Sequence, residues 1–437
     1  MLKRFFNSIS QKPLITLILF GVLFRLFIVL FYQHVTIFPD SEGYIYLGRL
    51  LSELQLSGYV GERTPGYPLL ITLAGNNLTL TVFFQLTIGI FTSILLYKNL
   101  LLLKFHPKPA VWLCLFLSAF LHVIFYETAI LTEALTLFFM TLAVYCYLRS
   151  FMENPSLKAL LFFGFVLGYL VFIKPFYIFL PFLFYGFFVL KDFHFRQIIN
   201  KRILIFIFPI VSFLGWSYVN KINTGRFVPT TFYGYNVAQN CVYFAEKTPD
   251  EFKTIREIYV QHREIAKKEH SDIAMSIWFA YDDLRNATGL SFIELSDQLN
   301  QFGKTAIQNN PVDYLKQVLF RSWVDFWKVD MYWNYHDFKV PYSNKVFIGI
   351  WYIQMAVLQL LKIIFVVLIP FQLFDFFTRK KITPEFVFSM IIFCTSVLQA
   401  ISTYGNNSRF SYPFESLMVI VVLLYGNRKG YLPLRKH

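Results

Sequence analysis

Ten stretches of the chain are apolar over about the length that crosses a hydrocarbon core of roughly 30 Å, near 20 helical residues. No other feature restricts the fold as much. They fall at about 13–32, 78–97, 110–126, 134–149, 158–173, 175–190, 203–220, 346–370, 385–402 and 412–427. Backbone in hydrocarbon must satisfy its own hydrogen bonds, so each stretch is expected to be a helix. The predicted fold is an all-α polytopic membrane bundle of about 10 helices, with a range of 9–12. Lys174-Pro175 breaks one long apolar run into the fifth and sixth stretches and reads as a tight re-entry. Lys362 interrupts the eighth, for which two segments are the alternative to one. Composition agrees: 56% of residues are hydrophobic and only 15% charged, against about 25% charged in soluble domains.

The net charge of +14 would suggest a polyanion partner if it were gathered in one place. It is not. Segment 221–345 holds 15 Lys/Arg and 15 Asp/Glu and is neutral. The excess sits in short loops, where it reports topology and argues against a nucleic-acid partner. Loops 1–12, 98–109, 149–158, 191–202, 379–381 and 428–437 carry 19 Lys/Arg, and those at 33–77, 127–133, 174 and 403–411 carry 4. The positive-inside bias then puts both termini in the cytoplasm and segment 221–345 outside. The opening MLKRFFNSISQK, followed by an apolar run, reads as a retained signal anchor. Cys114, Cys146, Cys241 and Cys394 form neither a disulfide framework nor a metal pair. Three parts are expected: an N-terminal membrane core 1–220 with a first outer loop 33–77, a helical extracytoplasmic segment 221–345, and C-terminal spans 346–437. Within the second, Phe252, Ile255, Ile258, Tyr259 and His262 recur at helical spacing, and Pro311 stands near another helix start.

The first outer loop reads FPDSEGYIYLGRLLSELQLSGYVGERTPGYPLL. Ser41 or Asp40 is placed to cap a helix whose Tyr44, Leu47, Leu51 and Leu54 form an apolar stripe. The alternative role for Asp40 is a general base for an acceptor hydroxyl at the membrane surface. Arg63 opens a rigid turn through Tyr67, as an interfacial cation or as a ligand for a lipid phosphate. Glu133 follows Thr132 at a helix start, where a carboxylate suits the macrodipole as well as chemistry. Glu127 ends the third span. Arg25 lies mid-span and is expected to pair with another helix. Tyr233 and Tyr235 are candidates for stacking on a sugar, against packing within their loop. His262, His270 and His336 lack metal-ligand spacing, so no protein metal site is expected.

Asp40-Ser-x-x-Tyr44 and Arg63-Thr-Pro-Gly-Tyr-Pro-Leu-Leu70 resemble motifs of the GT-C superfamily of membrane glycosyltransferases. The nearest group is glycosyltransferase family 39, the bacterial relatives of protein O-mannosyltransferase and of the lipid A aminoarabinose transferase. Leu131-Thr-Glu-Ala, Lys174-Pro175, Gly225-Arg-Phe-Val-Pro, Asn310-Pro-Val-Asp-Tyr-Leu and Ser408-Arg-Phe-Ser-Tyr-Pro-Phe-Glu415 follow in the family's order. A single acidic residue followed by serine replaces the family's Asp-Glu pair, and Lys174 replaces its arginine.

The resemblance implies a sugar donor carried on a polyprenyl phosphate, transfer on the extracytoplasmic face and inversion at the anomeric carbon. The acceptor is a protein, a lipid or a glycan. It also implies catalytic carboxylates among Asp40, Glu133 and Glu127, and substrate binding by Arg63, Tyr67, Lys174, Tyr233 and Arg409. No cofactor is assigned; the alternative is a divalent cation bridging a carboxylate and the donor phosphate. A bacterial inner membrane is the expected location. The competing readings are a transporter or flippase of lipid-linked glycans, and a glycan polymerase or ligase using a diphosphate-linked donor.

Overall fold

The computed structural model describes residues 12–152, 154–191, 200–405 and 407–430. The basic start at 1–11, most of the basic loop at 191–202 and the tail at 431–437 lie outside them. Among the described residues the chain is helical, with isolated bridges and no strand. Each of the ten apolar stretches is helical. Among the described residues seven helices are long and apolar enough to cross a membrane, and an eighth follows if one bent pair is a single span. The chain is a multi-pass membrane protein.

In chain order these are α1 (Pro13–Phe31), the short polar α2 (Pro39–Ser52) and α3 (Leu78–Leu102). The bent pair is α4 (Pro107–Ser118) with α5 (Leu121–Thr128), at 56°. Then come α6 (Glu133–Met152), α7 (Leu157–Ile173), α8 (Leu180–Lys191) and α9 (Ile207–Thr224). After Ile173 the chain turns through a 3₁₀ segment, Pro175–Phe179, before α8 begins. Proline lacks the N–H that would continue the ladder, so the helix stops where the sequence signals it.

The eighth stretch does not divide. It is one 37-residue helix, α10 (Ser343–Arg379), followed by α11 (Pro384–Ser402) and α12 (Glu415–Arg428). Lys362 stays inside because its charge is met: Nζ lies 2.7 Å from a Glu415 carboxylate oxygen, 2.8 Å from Ser411 Oγ and 2.9 Å from the Lys328 carbonyl. Glu415 also takes His122 Nε2 at 2.6 Å. Arg25 is answered in the same way, by both oxygens of Glu127 at 2.6 and 2.7 Å. Intramembrane charges survive where they are paired.

Between α9 and α10 the chain builds a helical unit with an apolar core of its own, including Tyr235, Ile255, Tyr259, Leu284, Leu299 and Phe302. The helix Lys253–Lys268 buries Ile255 and Tyr259, as its periodicity predicts. His262 instead turns to Asp283 at 2.7 Å. Pro311 starts the helix Pro311–Gln317, consistent with its fixed φ at a first helical position.

This unit grips the membrane bundle through the first loop. Thr231 N–H donates to the Gly61 carbonyl at 2.9 Å, and the Thr230 hydroxyl donates to that of Glu62 at 2.8 Å. Loop 59–67 also reaches the α7 break, where Gly66 N–H meets the Phe172 carbonyl at 2.9 Å. A Cβ on Gly66 would come within 2.5–2.7 Å of backbone atoms there, so the approach requires glycine. The loop is thereby pinned between two halves of the molecule.

Candidate active site

Those pins converge on a cavity of about 1060 Å³ between the bundle and the helical unit. Its walls include Asp40, Glu62, Arg63, Lys174 and Arg409 on one side and Phe232, Trp278, Tyr281 and Phe292 on the other.

Asp40 reaches the cavity because α2 does not need it as a cap. The Ser41 hydroxyl accepts the Phe38 N–H at 2.9 Å and donates to the Ile130 carbonyl at 2.8 Å. The Asp40 carboxylate is left to face two arginines. Arg63 Nη2 donates to Oδ1 at 2.9 Å and Arg409 Nη1 donates to Oδ2 at 2.7 Å. Arg409 continues to Glu133, with Nε donating at 2.9 Å, and Lys174 Nζ donates to the same oxygen at 3.2 Å. Glu133 begins α6 and is fully buried. It thus serves the helix terminus and the charge cluster together.

Each cation is braced. The Arg63 guanidinium lies between the rings of Tyr44 and Phe232, at 4.6 and 4.7 Å from their centroids. Its backbone is held by Tyr59 Oη, which takes the Arg63 N–H at 2.7 Å, and by Trp216 Nε1, which donates to the carbonyl at 3.1 Å. Lys174 lies 4.5 Å over Phe410, and Arg409 5.5 Å over Tyr332. Bracing of this kind reduces the entropy lost when a ligand is gripped.

Three cations meet the carboxylates of Asp40 and Glu133, with Glu62 a third carboxylate on the same wall. Burial alone would raise the Asp40 carboxyl, but Arg409 and Arg63 prevail and hold it well below the usual carboxylate range. Glu62 behaves in the opposite way. Burial pushes its carboxyl up, only partly offset by Arg63 and reinforced by Asp40 and Glu42.

Asp40, Arg63, Lys174 and Arg409 therefore line one cavity, with Glu133 directly behind two of them. The other three predicted site residues do not line it. Glu127 is buried beside Arg25, which occupies both of its carboxylate oxygens. Tyr67 is fully buried below Tyr44, its hydroxyl donating to Gln85 Oε1 at 3.0 Å. Tyr233 turns aside to Asp297, because the helical face presented to the cavity is that of Phe232, Asn236 and Gln239. Tyr235 is sealed in the core, stacked between Trp278 and Phe292. The aromatic wall beside the cavity is thus made by residues that periodicity did not single out.

Glu62 was also missed. The signal was its place beside Arg63, in a loop already marked as chemically loaded. Among the described residues, no group of three or more His, Cys, Asp or Glu is arranged to hold a metal ion.

Comparison with known proteins agrees with the motif reading. Residues 54–235 match the family model described as dolichyl-phosphate-mannose-protein mannosyltransferase. That interval contains Arg63, Glu133 and Lys174 but not Asp40 or Arg409. Among solved structures, the archaeal oligosaccharyltransferase AglB from Archaeoglobus fulgidus, in complex with an inhibitory peptide and a dolichol-phosphate, is similar at 12% identity and a TM-score of 0.46. The match covers 98% of this chain and 52% of that one, so the chain spans about half the length of the structure it matches. No curated protein matches in sequence. The chain resembles the GT-C membrane glycosyltransferases.

Proposed function

We propose that the chain is a membrane glycosyltransferase that takes its sugar from a polyprenyl-phosphate-linked donor and transfers it on the extracytoplasmic face. One observation carries this reading: Arg63, Lys174 and Arg409, from three separate elements, converge on one end of a cavity large enough for a glycosyl donor and an acceptor. A lipid-linked sugar phosphate carries one negative charge, and its leaving lipid phosphate carries two. Cations already in place stabilise that gain without reorganising at the moment of reaction. Arginine suits the role because its fork matches phosphate geometry.

The carboxylates of Asp40 and Glu133 occupy these cations. A donor phosphate enters by competing for the same N–H groups. The aromatic wall then faces the sugar and the acceptor, and a carboxylate of the cavity accepts the proton of the attacking hydroxyl. A divalent cation bridging a carboxylate and the donor phosphate would fit Asp40 once it is displaced from its arginines.

The test is transfer by the purified chain in nanodiscs, supplied with dolichyl-phosphate mannose or undecaprenyl-phosphate hexoses and an envelope extract as acceptor source. The expected result is a new glycosidic bond with release of lipid phosphate. Vectorial movement of the intact lipid without bond formation would make the protein a transporter instead. Turnover confined to diphosphate-linked donors would make it a polymerase or ligase.

A further inference from the structure

The reaction proposed above needs a base on the acceptor side, and the acidic residues lining the cavity are Asp40 and Glu62. They differ in how their oxygens are occupied. Both oxygens of Asp40 accept from guanidinium groups, at 2.7 and 2.9 Å. A carboxylate so held attracts a proton weakly, since each of its oxygens already accepts from a cation. The carboxylate of Glu62 makes no hydrogen bond or ion pair with any described residue, although the residue is only partly exposed. Its backbone is fixed nonetheless, since the carbonyl accepts from the Thr230 hydroxyl at 2.8 Å.

The side chain lies against α2. A Cβ built on Gly43 would lie 2.8 Å from Glu62 Oε1 and 2.9 Å from Arg63 Nε, so both groups press on the same bare point of α2. A side chain there would require one of these two flexible ends to move. Glu62 therefore stands beside the phosphate-binding cations with its carboxylate open to the cavity.

We infer that Glu62 is the general base of the transfer reaction, and that Asp40 holds Arg63 and Arg409 by occupying N–H groups for which the donor phosphate competes. This rests on the glycosyltransferase reading. In the step, the acceptor oxygen forms a bond to the anomeric carbon while the bond from that carbon to the phosphate oxygen breaks. The electron pair leaves with the lipid phosphate, which gains one negative charge. The acceptor proton passes to the Glu62 carboxylate and afterwards to water.

The charged groups around Glu62 favour this role. Asp40 and Glu42 on α2 repel its negative form and Arg63 on its own loop attracts it, with burial the largest influence and towards a raised proton affinity. A bound phosphate adds a further like charge. A base whose affinity lies nearer the working pH is the more effective one.

The experiment compares wild type, Glu62→Gln and Asp40→Asn as full-length chains in nanodiscs, with dolichyl-phosphate mannose as donor, envelope extract as acceptor source and undecaprenyl phosphate as binding probe. Dicyclohexylcarbodiimide, which attacks protonated carboxyls in apolar surroundings, supplies a readout besides turnover. The expected result is an adduct on Glu62 and not on Asp40, fading as pH rises. Glu62→Gln is expected to lose about 100-fold or more in turnover, within the general-base range, and to bind undecaprenyl phosphate no more weakly than wild type. The acid limb of the wild-type pH profile should vanish with it.

An active wild type whose Glu62→Gln variant stays within tenfold, or one labelled at Asp40 and not at Glu62, overturns the assignment and leaves the glycosyltransferase reading intact. A wild type that binds undecaprenyl phosphate and forms no glycosidic bond from any lipid-phosphate sugar overturns both.

Discussion

Replacing Asp40 with asparagine separates two roles for that residue, because they predict opposite changes in donor binding. The side chain is nearly isosteric, and its one carbonyl oxygen still accepts from one arginine, so helix α2 and the loop should persist. What disappears is a negative charge shared between Arg63 and Arg409 at 2.9 and 2.7 Å. A phosphate gripped by the same guanidiniums would sit about 6 Å from that charge, where repulsion amounts to about 3 kcal/mol per phosphate charge at an effective dielectric near 20. Asp40 retains 39% side-chain exposure, so solvent screens part of this. A discounted value of about 1–2 kcal/mol remains. Asp40→Asn should therefore bind undecaprenyl phosphate roughly 5- to 30-fold more tightly than wild type, since about 1.4 kcal/mol is tenfold. Titration calorimetry in nanodiscs measures this directly, and high salt should shrink the difference. Turnover should fall by less than in Glu62→Gln. Unchanged or weaker phosphate binding, together with a hundredfold loss of turnover, would refute the reasoning and return Asp40 to the role of base.

Arg409→Ala removes the link between Asp40 and Glu133 and should weaken undecaprenyl phosphate binding by about 10- to 100-fold, taking about 1.5–3 kcal/mol for a hydrogen bond to a charged group. Arg409→Lys keeps the charge but not the fork, and should recover only part of that loss in the same titration. Glu127→Gln leaves Arg25 buried without a counter-charge and should cost about 3–5 kcal/mol of stability. Activity should persist below the lowered melting temperature, because Glu127 lies away from the cavity. Arg25→Met with Glu127→Met should melt above the single variant, as removal of both charges abolishes the orphan. An impermeant thiol reagent on intact cells should label a cysteine at Arg285 and not one at Lys158, if the positive-inside bias orients the chain. The reverse pattern would invert the topology.

The division between what the sequence by itself determined and what tertiary structure decided follows the range of the forces involved. Helix identity was legible because it depends on neighbours three and four residues away and on a length matched to the bilayer. The break at Lys174-Pro175 and the helix start at Pro311 are equally local, written in the geometry of proline. Arg25 announced that it needed a partner, since an unpaired charge does not persist in hydrocarbon.

Which partner it takes is not a local property. Arg25 and Glu127 lie 102 residues apart, and Asp40 and Arg409 lie 369 apart. The bend between α4 and α5 and the loop between α11 and α12 bring them together. The same limit explains the misplaced candidates. Glu127, Tyr67 and Tyr233 have the right chemistry, but only packing shows that Arg25, Gln85 and Asp297 already hold them. Asp40 and Glu62 look alike in the sequence, two carboxylates in one loop. Their difference arises because Arg63 and the distant Arg409 each donate to an oxygen of Asp40, while Glu62 accepts no such hydrogen bond and feels Arg63 only as a nearby charge, and proton affinity is set by that surrounding charge rather than by residue type.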